Sequence, residues 1–511
     1  MNKFLSNSFI VSFFLLLSKL LGFVRDLLLA RFFGSEITLQ AFLVAFRFPE
    51  FMRKVISSGT LTQIINPYIN GNINDKNKKF IVTVLYFIAL LLLVITALSI
   101  IFSNIWVSLY AYGFVNDDIV FTLVKNMFVI MIPYLFFNGV MGVISAVLNS
   151  YSKYFLTSFL PIILNVVMII GIVVSPYFKI PIYSVAYAVL LSGIIQVSIG
   201  CYGVIKLVGN IRLSKDIFLV KDSRSRIFLR KLPTAFFGTA ILQINGLVET
   251  FFASFLLSGS LAWLYYADRV NQFLYGVFGT AIATVMIPYL LKCRKDKQEF
   301  FKTLANVIKF ALLVTVPAIV GLFVLAKPIV ISLFYYGKFN FDDVYFTYLA
   351  IIGYLLSLFC FVMIKVVVSA LYSQNKTTVV FYISLISLIT TITLDLLVVN
   401  FFSNSIYTFV YLAFVSSIVA FLSLFIHLCF LCDFEFKIFV KTCFPVITIF
   451  KIMIASIFMI LVLNLFNLSD KYWMNLSMFS RLKNITLLVV LGVFVYSVVI
   501  FTVERFKFIR K

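Results

Sequence analysis

Apolar runs of about 20 residues or more recur from one end of this chain to the other, and nothing else in it constrains the fold so tightly. Lipid offers the backbone no hydrogen bonds, so a spanning segment must satisfy its own amides, which a helix does. About fourteen such spans can be read, from 8–31 and 38–69 near the start to 442–467 and 482–503 near the end. The expectation is an all-α polytopic membrane protein. Composition agrees: 63% of residues are hydrophobic and only 12% charged, which no water-soluble domain resembles. The first span contains Lys19, Arg25 and Asp26 and lacks a small-residue cleavage site. It reads as a retained helix, not a signal peptide.

The net charge of +23 would suggest nucleic acid in a soluble protein. Here it sorts by side of the membrane, so no nucleic-acid partner is expected. Basic residues crowd the connections at 75–79, 206–231 and 292–302 and the tail at 505–511. All fall on one face if both termini are cytoplasmic. The opposite face receives Asp117-Asp118, Asp342-Asp343 and Trp106, Trp263 and Trp473, the tryptophans reading as interface anchors. Cys429 and Cys432 with His427 form the one cysteine cluster, too few ligands for a metal or redox site. His427 is the sole histidine, which excludes catalysis by paired histidines.

The chain also repeats itself. Ser108–Asp118 (SLYAYGFVNDD) is similar to Ser332–Asp343 (SLFYYGKFNFDD). Arg47, Gly59-Thr60 and Pro67-Tyr68 match Arg269, Gly279-Thr280 and Pro288-Tyr289, and Ser145-Ala146 with Lys153 match Ser369-Ala370 with Lys376. The offset stays near 220, and an even number of spans separates the copies, so they share one orientation. Parallel repeats about an axis along the membrane normal are a transporter architecture with the substrate site at their interface. The expected organisation is two parallel six-helix repeats plus two extra C-terminal helices. The N-terminal lobe would be 1–210, a basic cytoplasmic linker 211–232, the C-terminal lobe 233–432, and the additional helices 433–511.

Charges inside spans are costly, roughly 2.5–3.5 kcal/mol each at the bilayer centre on insertion scales, so they mark function or a buried partner. Lys19, Arg25 and Asp26 lie in the first span, Arg47, Glu50, Arg53 and Lys54 in the second, and Asp268, Arg269 and Gln272 in the eighth. Helical spacing puts Arg47, Glu50 and Lys54 on one face. Two readings compete. Arg25–Asp26, Arg47–Glu50 and Arg269–Asp268 could be neutralised pairs that hold helices together. Alternatively the cations line a wet cavity for an anionic head group, and the arginine fork suits a diphosphate. Lys19 and Arg53 leave the first half with a basic excess. Glu249 and Asp395, with Thr391 one turn from the latter, are span acids without a basic neighbour in sequence, which suggests a proton or cation site.

Two long stretches, SKLLGFVRDLLLARFFGS followed by AFLVAFRFPEFMRKVISSGTLTQIINPYI, and GSLAWLYYADRVNQFLYGVFGTAIATVMIPYL followed by SLFYYGKF, resemble the lipid II flippases of the MurJ (MviN) family. The resemblance covers spans one to ten and continues beyond them by hydropathy. It implies a fourteen-helix transporter of the multidrug/oligosaccharidyl-lipid/polysaccharide superfamily, sitting in the bacterial inner membrane and working in cell-wall biogenesis. Its cargo would be lipid II or a similar undecaprenyl-diphosphate lipid, moved from the inner to the outer leaflet by alternating access. Lys19, Arg25, Arg53 and Arg269 match the family's cavity cations, with Asp26, Arg47, Glu50, Asp268 and Gln272 around them. The last two spans would form a groove for the lipid tail. Glu249, Thr391 and Asp395 fit loosely onto a sodium site found in some relatives. No cofactor is implied beyond a monovalent coupling cation, sodium or a proton, and other cell-wall synthesis proteins are candidate partners. The chain departs from the family pattern at Lys19, usually arginine, at Gln40 and Gln272, usually acids, and at Glu50, usually asparagine.

Two alternatives remain at this stage. One is export of another polyprenyl-linked oligosaccharide of the O-antigen type. The other is a membrane polyprenyl-phosphate glycosyltransferase, which would need surface carboxylates and usually a metal.

Overall fold

A computed structural model describes residues 2–57, 60–69, 75–209, 223–293, 296–402, 405–433, 446–466 and 468–508. Gly59, most of the basic linker (211–222), and the approach to the additional helices (434–445) lie outside the described residues. Helices account for nearly all regular structure. Contacts divide the chain into two compact units, Met1–Gly259 and Ser260–Lys511.

The first unit contains α1 (Asn2–Phe33), α2 (Ile37–Ser57), α3 (Thr60–Ile65), α4 (Asp75–Ile101), α5 (Ser103–Tyr110), α6 (Asp118–Met131), α7 (Pro133–Ser150), α8 (Tyr154–Val174), α9 (Ile182–Val208), α10 (Ser223–Gln243) and α11 (Asn245–Ala253). Asp117 caps α6 by accepting from the backbone amides of Ile119 and Val120. Pro133 takes the first position of α7, where its missing amide proton costs no hydrogen bond. The segment 118–150 is thus one span, jointed between α6 and α7. The repeat divides the chain near residue 210, yet α10 and α11, the seventh span, pack in the first unit against α2, α3 and α5.

The second unit contains α12 (Ser260–Cys293), α13 (Lys297–Phe334), α14 (Phe341–Ser373), α15 (Thr377–Phe402), α16 (Thr408–Leu431), α17 (Val446–Phe466), α18 (Asp470–Asn475) and α19 (Met478–Phe508). Asn340 and Asp343 form a reciprocal capping box at the start of α14. The additional helices α17 and α19 pack on each other and on α13. Arg481, only 5% exposed, fastens them: it donates to the carbonyls of Trp473, Met474 and Tyr335.

The packing plan repeats. In the first unit α2 lies against α6 and α7, α7 against α4 and α9, and α8 against α9; in the second, α12 lies against α14, α14 against α13 and α16, and α15 against α16. These are the same pairs in repeat order. Apolar lipid gives helices no hydrophobic reason to associate, so close contact of small residues and interhelical hydrogen bonds must hold them. Gly171 sits against Ala188, and Ser184 donates to the Gly171 carbonyl at 2.8 Å. Gly353 sits against Ala413, and Ser417 donates to the Gly353 carbonyl at 2.6 Å.

Ten spans among the described residues are long and apolar enough to cross a membrane. The other long helical segments are α1, α2, α10 with α11, and α12, and these four carry Lys19, Arg25 and Asp26, then Arg47 to Lys54, then Glu249, then Asp268 and Arg269. Ten and four together give the fourteen spans of the sequence reading. Two tryptophans differ from expectation. Trp263 and Trp473 are buried in protein rather than laid in a lipid interface, and Trp263 donates to Asp343 at 2.8 Å.

Candidate functional site

In the first unit the span charges form two clusters. Arg25, 8% exposed, turns its fork onto the neighbouring Asp26, with Nε and Nη2 donating to Oδ1 at 2.9 and 2.7 Å. Its Nη1 donates to Asn165 Oδ1 on α8 at 3.2 Å. Asn165 in turn donates to the Ser18 carbonyl at 2.9 Å, closing a clasp between α1 and α8. Here the ion-pair reading is correct for this arrangement: the Arg25 guanidinium is buried and already occupied. Lys19 is exposed on α1, and among the described residues it has no ion-pair partner. Sequence reasoning missed Asn165, though a lone amide inside LPIILNVVMII was a readable signal.

The second cluster is built around Glu50 on α2, only 6% exposed. Arg47, Lys54 and Arg53 approach its carboxylate at 3.6, 3.4 and 3.9 Å. Arg47 also donates from Nε to the Gly246 carbonyl at 2.8 Å and meets Glu249 at 3.6 Å. Glu249 therefore has a basic partner after all, from a helix some 200 residues away, which sequence neighbourhood could not reveal. Gln40, 2% exposed, donates to the Ser35 carbonyl and to Ser258.

Tyr134 on α7 is buried, 1% exposed. Tyr134 and Arg53 share a cavity of about 360 Å³ with Asn138, Asn149, Ser158 and Gln196. Arg53 is its only charged lining residue among those described. The structure thus brings Arg47, Glu50, Arg53 and Glu249 together, sets Arg25 with Asp26 on Asn165, and leaves Lys19 outside both groups.

In the second unit Arg269 lies on α12 with its guanidinium 4.5 Å from the centre of the Tyr265 ring. Its Nη1 donates to Gln272 Oε1 at 3.2 Å, while the Gln272 amide donates to Asp268. Gln272 therefore stands between the arginine and the acid that the sequence reading paired directly. Asp395 is buried on α15, and Thr391 donates to the Ser387 carbonyl of its own helix. Glu249 belongs to the first unit and these two to the second. Among the described residues no group of three or more His, Cys, Asp or Glu side chains is arranged to hold a metal ion.

The family model for the lipid II flippase MurJ matches residues 29–484. A probable lipid II flippase MurJ of Buchnera aphidicola (subspecies Acyrthosiphon pisum) is 33% identical over 386 residues, covering 74% of this chain and 75% of that protein. Among solved structures, a lipid II flippase MurJ in an inward closed conformation superposes with a TM-score of 0.82 at 25% identity, over 98% of this chain and 100% of that one. An inward-facing MATE family transporter of the MOP superfamily superposes at 0.66 with 15% identity, over 82% and 95% of the two chains, a likeness of fold alone. None of these matches supports the O-antigen or glycosyltransferase alternatives. The repeat packing, the charge-bearing helices and the match along almost the whole chain lead to one assignment: the chain belongs to the MurJ family of lipid II flippases.

Proposed function

We propose that this protein carries lipid II across the inner membrane by alternating access, with Arg53, Arg25, Arg269 and Lys19 receiving the diphosphate of the cargo. The observation that carries the reading is the Glu50 hub, where three cations share one buried carboxylate within a family of flippases. A buried charge stripped of its partner is strongly destabilising, by about 3–5 kcal/mol. Each arginine paired with an acid in the first unit therefore needs an anion at every stage of a cycle. Glu50 and Asp26 supply one when the site is empty, and the diphosphate supplies one when it is full. Arg53 is the most readily exchanged, since its contact to Glu50 is the longest and its side chain is 30% exposed. Arg25 exchanges only by leaving Asp26 and Asn165.

On this reading both termini lie in the cytoplasm, which the basic excess of the connections supports. The coupling cation, sodium or a proton, belongs to the same proposal, with buried Asp395 as its acid; Glu249 joins only by releasing Arg47.

The test is complementation of a flippase-depleted bacterium, with outer-leaflet lipid II measured directly. R25A, R53A and R269A are each expected to abolish delivery at normal membrane levels. Normal delivery in all three would overturn the role given to the cations.

A further inference from the structure

Span four of the first unit is jointed where α6 meets α7, whereas its repeat equivalent, α14, is one continuous helix. The pairing of Ser145 with Ser369 carries Pro133, at the joint, onto Ser357. Pro133 has no amide proton to give the Val129 carbonyl one turn earlier. Residue 357 of α14 does have one, and there the rung is bridged by a side chain from another helix. The Ser417 hydroxyl of α16 accepts from the Ser357 amide at 3.0 Å and donates to the Gly353 carbonyl at 2.6 Å. A side chain set into the backbone ladder in this way bends helices. Gly353 makes the approach feasible: a Cβ there would lie 2.7 Å from that of Ala413 and 3.2 Å from the Val410 carbonyl oxygen. Ser357 and Ser417 are both buried, so the bridged rung depends on this one hydroxyl.

Each joint also has buried polar atoms beside it without partners. Leu92 of α4 fills the place opposite Gly139 of α7. Consecutive spans run in opposite directions, so Thr96 and Ser99 carry that face of α4 on toward the Pro133 joint. Both hydroxyls are buried without a hydrogen-bond partner. In the second unit Tyr275 of α12 packs on Phe361 of α14. These helices lie two spans apart and run in the same direction. Asn271, one turn before Tyr275, therefore stands level with Ser357, one turn before Phe361. Asn271 is buried, and neither its amide nitrogen nor its oxygen has a partner. Native proteins keep few such groups. Here they sit where a bending helix would free backbone amides and carbonyls to meet them.

We propose that span four and α14 are matched hinges of the transport cycle, each bending at this one level of the repeat, and that Ser417 is the positioning residue that keeps the α14 hinge usable. The inference rests on the alternating-access reading above and adds where within each unit the movement is made. Ser417 takes the Ser357 amide and the Gly353 carbonyl for itself, so the two halves of α14 swing without a direct backbone bond to break. Asn271 receives backbone groups that the bend releases, and Thr96 and Ser99 do the same beside Pro133. The first unit has its hinge in the covalent chain; the second borrows one from a neighbouring helix.

Purified full-length protein in liposomes, with lipid II movement followed in time, tests the hinge. In S417A the Ser357 amide and the Gly353 carbonyl bond directly, and movement is expected to slow about tenfold, the weight of one added hydrogen bond in the barrier. Lipid II affinity should stay the same and the melting temperature should be no lower. S357P removes the amide for good, as in the first copy, and should keep a rate close to wild type. In S417A/S357P the rung has no amide with which to close, so the rate should return to that of S357P. A hydroxyl that only ties α16 to α14 would lower the melting temperature of S417A and give the double variant both losses; that outcome, or a wild-type rate in S417A, overturns the hinge. If S357P does not fold, P133A decides. Alanine there supplies the missing amide to Val129, and slowing at unchanged affinity supports the hinge, whereas a wild-type rate overturns it. A wild type that binds lipid II without moving it is a different result: it removes the alternating-access reading itself.

Discussion

On α2, Arg47 reaches Glu50 three residues later; on α12, Arg269 reaches Gln272 three residues later. Arg47 and Arg269 are repeat equivalents, and so are their partners. The geometry is close to shared, with Nη1 at 3.6 Å from a carboxylate oxygen in one copy and 3.2 Å from an amide oxygen in the other. The charge is not shared. A carboxylate neutralises the guanidinium it faces, whereas an amide satisfies its hydrogen bonds and leaves its charge standing. Tyr265 behaves like the amide, because a ring face attracts a cation without cancelling it. On the reading proposed above, the first copy stores its cations on acids that the cargo displaces, and the second sets an amide and a ring face beside its arginine. On that reading duplication of one helix has produced a storage site and a presentation site that differ at this position by one carboxylate.

The largest expected effect tests the storage side. E50A leaves Arg47, Arg53 and Lys54 around an empty position, and breaking a buried pair in this way costs about 3–5 kcal/mol. Its counterpart Q272A removes one exposed hydrogen-bonding group, worth about 1 kcal/mol. Thermal melting of the two variants in one detergent measures the contrast. Equal melting temperatures would mean that Glu50 holds nothing that Gln272 does not.

How much of this was open to sequence reasoning depends on the range of the interaction. The spans, their number and the pairing of repeats were legible because apolar length and a fixed offset survive in one dimension. Arg25 with Asp26, and Arg47 with Glu50, were legible because helical spacing alone makes them neighbours. Arg47 with Glu249, and Arg25 with Asn165, were not, because each joins helices distant in sequence. Asn138 was missed for another reason: one amide in an apolar run looks like noise until a cavity is seen beside it. The packing of the seventh span in the first unit was hidden too, since hydropathy gives a helix its length but not its neighbours.

The glycines of the repeated motif sharpen the comparison at the next magnitude. Gly113 and Gly337 occupy the same place in SLYAYGF and SLFYYGK. At Gly113 a Cβ would come within 2.2 Å of the Ser254 carbonyl oxygen, a backbone atom that cannot swing away. At Gly337 the reason is a positive φ of 64°. G113A should cost about 1–3 kcal/mol as overpacking, and G337A about 1–2 kcal/mol as left-handed strain. An asparagine, which tolerates that conformation, should recover much of the loss at 337 and none at 113. Recovery at both positions, read by thermal melting, would show that the two copies use the glycine for one reason.

The smallest effect is the most direct challenge to the presentation side. Q272E converts the neutral partner of Arg269 into a charged one and makes α12 imitate α2. On an exposed helix face the new pair adds only about 0.2–0.5 kcal/mol, so melting should scarcely move. Anion binding is the sensitive readout. With its charge neutralised, Arg269 should bind a short-chain polyprenyl diphosphate a few-fold more weakly, while E50Q, which unloads the first copy, should shift affinity the other way. The double exchange E50Q/Q272E keeps the total charge of neither single variant and restores that of the wild type, so it separates placement from amount. If affinity in the double variant simply follows net charge, the copies are interchangeable reservoirs of positive potential. If it drops although net charge is unchanged, the position of the one carboxylate determines which arginine meets the cargo first.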